Sequence, residues 1–391
     1  MRMATKQEII AERVPEYAAG DSVTKSKILD SLEVTTGQAR KSLIRRLNQL
    51  AQGKSNTVPD RPGRPRTYGN EVTAALKSLW DLSHECSGER LWPQLAMYVD
   101  VLHRFHRWTY SFSATMQLLT MSEKTVKRRI ASFRHEQTLL PLRGMSTTKP
   151  SQLKELIPIR RGPWENPAPG YGEIDTVVHC GSSLQGDLAF TVQYTDVATL
   201  WVLLAAQWNK GQAATRESIQ GMRDRLPFAL KGLDPDSGSE FINWMLYGWC
   251  KQEGIQMSRI RPGKKNDHGR IEQKNYTNVR QFVGYVRLDR REQVALLQEL
   301  YAVLEDYLNF FIPSRKCIRR ERIGSRYRKV YDRAAPPYTR VLAHPEVPEK
   351  VKTALRAKYL TLDPVVLKME LDLKTKRLLG SCGVPAPAVL R

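Results

Sequence analysis

Hydrophobic positions along the chain change period between its first third and its centre. Over residues 5–50 they fall into short helical runs. The last run, from about Thr36, sets Ala39, Leu43, Leu47 and Leu50 near helical spacing, with Gln38, Arg40, Lys41, Arg45 and Arg46 on the other face. A second helical region spans about 70–140. Near its end Val126, Ile130 and Phe133 repeat at i, i+4 and i+7, leaving Lys124, Thr125, Lys127, Arg128 and Arg129 outside. From about residue 171 the pattern becomes alternating strand and helix. Strands are expected over 172–180, 188–195, 200–208, 228–233 and 255–260, with helices over 211–225, 239–253 and 267–283. A further helix is expected over 290–311. Three strands, helix, strand, helix, strand, helix predicts a mixed α/β domain.

These elements divide the chain. Residues 1–51 read as a small helical domain with a basic final helix, the pattern of a helix-turn-helix. A bundle with a solvated charged face is the plainer alternative. Residues 52–69 are rich in Pro, Gly and polar side chains and read as a basic linker. Within them Gly63-Arg64-Pro65-Arg66 is similar to the core of an AT-hook, whose narrow extended form lets Arg64 and Arg66 enter a minor groove. A plain linker is the favoured reading of these four residues. Residues 70–145 form the second helical domain. There Ser122 can cap a helix that carries Lys127, Arg128 and Arg129 outward as a second candidate recognition helix. The α/β domain occupies 165–290. Residues 291–391 hold a helix, a basic segment and a tail; the segment includes Arg319 and Arg320, with Tyr327 and Tyr331 interleaved for stacking on bases or sugars.

Charge sharpens this division. The 391 residues carry 62 Lys and Arg against 40 Asp and Glu, a formal net charge of +22. That excess points to a polyanion, most simply nucleic acid. A basic membrane-surface protein would need an amphipathic anchor or lipidation signal, and neither is present. Residues 101–150 are net +7 and residues 251–391 net +15, whereas residues 151–200 are net −3. A non-basic centre between basic flanks suits a carboxylate site between surfaces that grip DNA. Five scattered cysteines without a Cys-x-x-Cys pair argue against structural zinc, and His103 and His106 have no cysteine partners. With no signal-peptide core and no long apolar run, a soluble cytoplasmic protein in a reducing compartment is expected. No Gly-x-x-x-x-Gly-Lys-[Ser/Thr] segment suggests a nucleotide cofactor.

Three acids fall where metal-assisted phosphodiester chemistry needs them. Two divalent ions held about 3.5–4 Å apart by converging carboxylates can serve both the attacking and the leaving oxygen of an in-line displacement. Asp175 lies mid-strand in Glu173-Ile174-Asp175-Thr176. Asp236 follows the fourth strand, before Gly238-Ser239-Glu240-Phe241. Glu272 lies on the helix over 267–283. Competing acids stand nearby: Glu173 shares the strand face of Asp175, Asp234 precedes Asp236 by two, Asp196 ends the second strand, and Glu240 fits the first turn of a helix. Lys264, Lys265 and Lys274 are candidate phosphate contacts; solvated lysines are the alternative.

The stretches Glu173-Ile174-Asp175-Thr176, Gly238-Ser239-Glu240-Phe241-Ile242-Asn243, Arg261-Pro262, Lys264-Lys265-Asn266-Asp267 and Glu272-Gln273-Lys274-Asn275 resemble bacterial insertion-sequence transposases with a retroviral-integrase type of catalytic core. That family commonly has 35 residues between its second and third carboxylates, and 35 lie between Asp236 and Glu272. The resemblance covers about residues 165–335. It implies an RNase H-like core, a five-stranded mixed sheet with helices, preceded by all-α helix-turn-helix domains. It implies Asp175, Asp236 and Glu272 as catalytic metal ligands for two Mg²⁺ or Mn²⁺ ions. It also implies an oligomer on paired DNA ends that frees a 3′-hydroxyl and joins it to target DNA. Two positions depart from the family pattern: Ser237 stands for the usual Asn, and Arg270 for the usual His, with His268 two residues earlier. A metal-dependent nuclease on the same fold, or a DNA-binding regulator with an inactive core, are the competing expectations.

Overall fold

The computed structural model describes residues 3–52, 68–133, 167–236, 238–258, 274–323 and 326–383. The chain divides into two compact units, Met1–Thr67 and Tyr68–Arg391.

The first unit contains four helices among its described residues: α1 Met3–Glu12, α2 Val14–Ala19, α3 Ser22–Thr36 and α4 Arg40–Ala51. Pro15 opens α2, a position where its missing N–H costs nothing. Asp21 caps α3 by accepting the Thr24 N–H at 2.8 Å, and Gly37 ends it in the left-handed region at φ 64°. Ile10, Tyr17, Ile28, Leu29, Leu32, Leu43 and Leu47 bury together. The amphipathic period read around Leu43 and Leu47 is therefore that of a core face. Arg40 is spent internally, bonding Ser26, Asp30 and Glu33, which raises its pKa. Lys41 and Arg45 remain exposed.

The second unit is built on a five-stranded sheet: β1 Tyr171–Val178, β2 Ala189–Asp196, β3 Val202–Trp208, β4 Gly232–Pro235 and β5 Gln256–Met257. Its order is β3-β2-β1-β4-β5. β2 is antiparallel to both neighbours, and β1, β4 and β5 run parallel. This mixed sheet with helices packed on it resembles an RNase H-like core. Gly172 lets the sheet close: a Cβ there would stand 2.0 Å from the Tyr194 ring. The fourth strand lies later than its apolar run suggested, because its ladder with β1 begins only at Tyr171↔Gly232. The following helix, Trp244–Gln252, also starts late. The Asn243 side chain caps it, accepting the Leu246 N–H at 2.9 Å, and Ser239–Asn243 are left as a turn.

β3 lies at the edge of the sheet, yet its outer backbone is not bare. The long helix Arg291–Phe310 runs beside it, and three of its side chains take strand amides. Gln298 Oε1 accepts the Ala206 N–H at 2.9 Å, Glu305 Oε1 that of Leu204 at 2.7 Å, and Asn309 Oδ1 that of Val202 at 2.8 Å. Residues two apart on a strand are thus met by residues at helical spacing. This removes the open edge on which another chain could pair.

The helices of residues 70–133 share this unit's core. They comprise α5 Asn70–Leu82, α6 Gly88–Leu91, α7 Leu95–Arg104, α8 Phe112–Leu119 and α9 Glu123–Phe133, interrupted by a short 3₁₀ turn at Trp92–Gln94. One continuous apolar cluster runs from Val72 through the sheet to Leu378. Buried tyrosines cross-link it: Tyr98 donates to the Phe311 carbonyl at 2.8 Å and Tyr307 to that of Leu82. The boundaries expected at 145, 165 and 290 do not separate the described residues into independent cores. The tail beyond 345, which showed only weak helical character in sequence, forms helices Glu349–Thr361 and Pro364–Gly380; the latter packs on the long helix. Among the described residues no helix is long and apolar enough to cross a membrane.

Candidate active site

β1 and β4 are parallel neighbours with Glu173↔Asp234 and Ile174↔Pro235 in register. The next position along both strands holds Asp175 and Asp236. Both aspartates thus follow directly on the last paired positions of the ladder, where β4 ends. Ile174 is fully buried and Asp175 only half-buried, so the strand emerges from the core at the aspartate. Each carboxylate is oriented locally. Asp175 Oδ1 accepts the Thr176 N–H at 2.8 Å, and Asp236 Oδ1 accepts the Gly238 N–H at 2.8 Å. Asp175 is also held from a distant segment: Asn275 Nδ2 donates to its Oδ2 at 2.6 Å. Asn275 opens a π-helical turn, Asn275–Arg280, that leads into a short helix Gln281–Val283.

The competing acids are placed differently. Glu173 and Asp234 face each other across the ladder, both buried, with Ser258 Oγ donating to Asp234 at 2.6 Å. They lie one residue pair deeper on the Asp175 face. Asp196 is fully buried in the β2–β3 turn, accepting the N–H groups of Gly170 and Thr199 and the Thr199 hydroxyl. Burial raises its pKa, only partly opposed by those bonds. It is a turn residue.

Glu240 is not in the first turn of a helix. It sits in the preceding turn, buried, accepting the Thr176 hydroxyl at 3.0 Å with Lys210 Nζ 3.6 Å away. Thr176 points to the strand face opposite Asp175, so Glu240 does not converge with the aspartates. Gly238 makes room for it: a Cβ there would stand 2.6 Å from its carboxylate.

Five residues singled out in sequence lie outside the described residues: Glu272, Lys264, Lys265, Arg64 and Arg66. So do Ser237, His268 and Arg270. Of the remaining candidate DNA contacts, Arg128 is exposed on α9. Lys127 pairs with Glu89 at 2.7 Å, which raises its pKa. Arg129 turns inward, donating to Thr73 and to the Tyr68 carbonyl at 3.2 Å, with its guanidinium over the Tyr68 ring. α9 thus presents Lys124, Lys127 and Arg128 but spends Arg129 on its own fold. Lys274 also points inward: its Nζ donates to Ser314 Oγ at 2.8 Å. Burial, with Arg90 and Arg340 nearby, brings its pKa down to about 7.

Arg319 and Arg320 belong to an element that sequence did not reveal, an antiparallel ribbon of β6 Cys317–Ile323 and β7 Arg326–Tyr331. Arg319 is exposed and paired with Glu321.

The donor set at Asp175 and Asp236 suits a hard divalent cation, which prefers carboxylate and amide oxygens. Asn275 Oδ1, beside Asp175, is buried with no hydrogen-bond partner among the described residues. Among those residues no three His, Cys, Asp or Glu side chains come close enough to hold an ion. Asn275 carried the one site contact that sequence reasoning missed. In sequence it stands only as the end of the stretch Glu272-Gln273-Lys274-Asn275, and its reach to β1 depends on the packing of distant segments.

No family model matches the chain. It is 35% identical over 341 residues to the uncharacterized protein y4rM of Sinorhizobium fredii (strain NBRC 101917 / NGR234), covering 86% of this chain and 95% of that protein. Among solved structures, the HTLV-2 integrase catalytic core domain in complex with magnesium (dimeric form) is matched over 38% of this chain and 93% of that one. The identity is 12% and the TM-score 0.29.

Proposed function

The chain belongs to the family of the Sinorhizobium fredii protein y4rM, and we propose that it is a DNA transposase. Asp175, Asp236 and Glu272 form its active site. The observation that supports this reading is the register of β1 and β4, whose last pair, Ile174↔Pro235, lies one residue before Asp175 and Asp236 although 60 residues separate the two in sequence. The Asn275 amide on Asp175 supports adding Glu272, three residues earlier in the helix expected over 267–283, since i and i+3 share a helix side.

Bound divalent cations, Mg²⁺ or Mn²⁺, would supply electrophilic stabilisation of the phosphoryl oxygens. The protein's own groups fix the geometry: Thr176 and Gly238 amides aim the two aspartates, and Asn275 holds Asp175 from the other side. In the first step a water oxygen bonds to phosphorus, the bond to the 3′-oxygen breaks, and that oxygen leaves as a hydroxyl. In the second, the freed 3′-hydroxyl attacks a target phosphodiester and expels a target 3′-hydroxyl. Phosphodiesters are conserved in the joining step, so no nucleotide cofactor is needed.

The exposed cations of α9 and α4 are the candidate grips on the element ends. These are Lys124 and Arg128, and Lys41 and Arg45. Two copies of the chain would hold a pair of ends. The test is product analysis with the full-length protein, Mg²⁺, a terminal-repeat duplex and a target plasmid. Joined strand-transfer products are expected. Nicked duplex with no joined product would assign a nuclease, and no Mg²⁺-dependent product would remove the catalytic reading.

A further inference from the structure

We propose that the β6–β7 ribbon enters the major groove of duplex DNA, presenting the face that carries Arg320, Arg322, Tyr327 and Lys329. The inference rests on the nucleic-acid reading above and assigns a mode of contact to an element that reading leaves open.

Among the described residues the ribbon is a two-stranded sheet by itself, with no third strand on it. Such a hairpin is marginal alone in water, so its base must be held. Ser314 and Ala335 exchange both backbone hydrogen bonds at 3.1 Å, and Asp332 Oδ1 accepts the Lys316 N–H at 2.7 Å. Arg340 closes on Asp332 and on the Ser314 carbonyl, the latter at 2.8 Å. The same Ser314 takes the Lys274 ammonium. The base is therefore fastened to the segment that delivers Asn275 to Asp175.

Beyond that base the ribbon is uncovered. Ile318 is 62% exposed, Ile323 59% and Tyr331 41%. With six or seven residues per strand it reaches about 20 Å at the ordinary strand rise. A two-stranded ribbon fits the major groove, about 12 Å wide, and not the minor groove of about 6 Å.

Charge selects the same partner and the face that meets it. Residues 314–333 hold nine Lys and Arg against Glu321 and Asp332. Asp332 is spent on the base and Glu321 is paired with Arg319. The ladder pairs Arg320↔Lys329 and Arg322↔Tyr327, and on the opposite face Arg319↔Val330, Glu321↔Arg328 and Ile323↔Arg326. The first face has cations and an aromatic but no acid. The second holds the carboxylate and the isoleucine. Cations on the first face match guanine O6 and N7 in the groove.

The test measures affinity of the full-length protein for a short duplex by fluorescence anisotropy across a salt series. Arg320→Ala, Arg322→Ala and Lys329→Ala are combined and compared with Arg319→Ala plus Arg328→Ala on the other face. Circular dichroism checks that both variants fold. The triple variant is expected to lose about tenfold or more in affinity and to lower the salt slope by about 2–3, roughly one per cation removed. The other pair should have a smaller effect. Replacing guanine by 7-deazaguanine should weaken wild type and leave the triple variant unchanged.

Equal losses from the two faces, no loss from the triple variant, insensitivity to 7-deazaguanine, or a preference for hairpin RNA over duplex DNA would each overturn the proposal. If the triple variant keeps its affinity while wild type still joins strands, the ribbon assignment falls and the transposase reading stands. If wild type neither binds nor joins DNA, both fall.

Discussion

Asp175 has both carboxylate oxygens engaged by neutral donors, the Thr176 N–H and the Asn275 amide. Neutral donors of this kind fix a carboxylate's direction. This makes Asn275 a positioning residue that acts through Asp175. Asn275→Ala should raise the Mg²⁺ concentration needed for half-maximal activity by about 10–100-fold, the usual scale for losing a partner of a metal ligand. DNA affinity should be unchanged. A metal requirement equal to wild type in a titration of joining against Mg²⁺ would remove Asn275 from this role.

Residue scale is also where sequence was most and least informative. Asp175 and Asp236 could be picked from Glu173 and Asp234 by motif and interval, whereas the strand ladder pairs Glu173 with Asp234 and buries both. Arg129 could not be told from Arg128. Both are outward on a helical wheel, and only the packing of Tyr68 and Thr73 against α9 draws one inward.

Elements with a clear apolar period were legible, and elements without one were not. Strand β3 announces itself by a nearly continuous apolar run, and β1 and β2 by β-branched and aromatic residues among polar ones. The β6–β7 ribbon is polar on both faces, so its charge hides its period. The edge of β3 shows a subtler limit. The polar residues Gln298, Glu305 and Asn309 interrupt an apolar helix, and nothing local says that they close a sheet edge. Asn309 makes both bonds with Val202, accepting its N–H and donating to its carbonyl at 2.8 Å each, and is 1% exposed. Replacing it leaves two buried backbone groups unpaired at about 1–3 kcal/mol each. Asn309→Leu should therefore lower the urea unfolding free energy by ~2 kcal/mol or more. A loss below about 0.5 kcal/mol would mean that the helix does not close this edge, since surface substitutions fall in that range.

Across the second unit, the helices of residues 70–133 and the sheet share one core, so a disturbance in either is felt in both. Period and composition suggested separate domains because each segment has its own apolar face. They could not show that the faces meet. A buried histidine in this core gives the unit a pH dependence. His179 is fully buried, its Nε2 shares a hydrogen bond of 2.7 Å with Thr191, and burial holds its pKa down to about 3. The unfolded chain binds this proton below about pH 6.5 and the folded one does not. Stability is thus full above pH 6.5 and falls as pH drops toward 3, by up to about 1.4 kcal/mol per pH unit. His179→Gln should flatten the decline in urea unfolding free energy between pH 6.5 and 5. A slope equal to wild type would contradict it.

The account depends most on the carboxylates. The decisive measurement is Mg²⁺-dependent joining of terminal-repeat DNA by Asp175→Asn, Asp236→Asn and Glu272→Gln, each assayed beside its own affinity for that DNA. Each variant is predicted to bind the ends as wild type does and to form no joined product. Wild-type joining by any one of them would contradict its place in the active site.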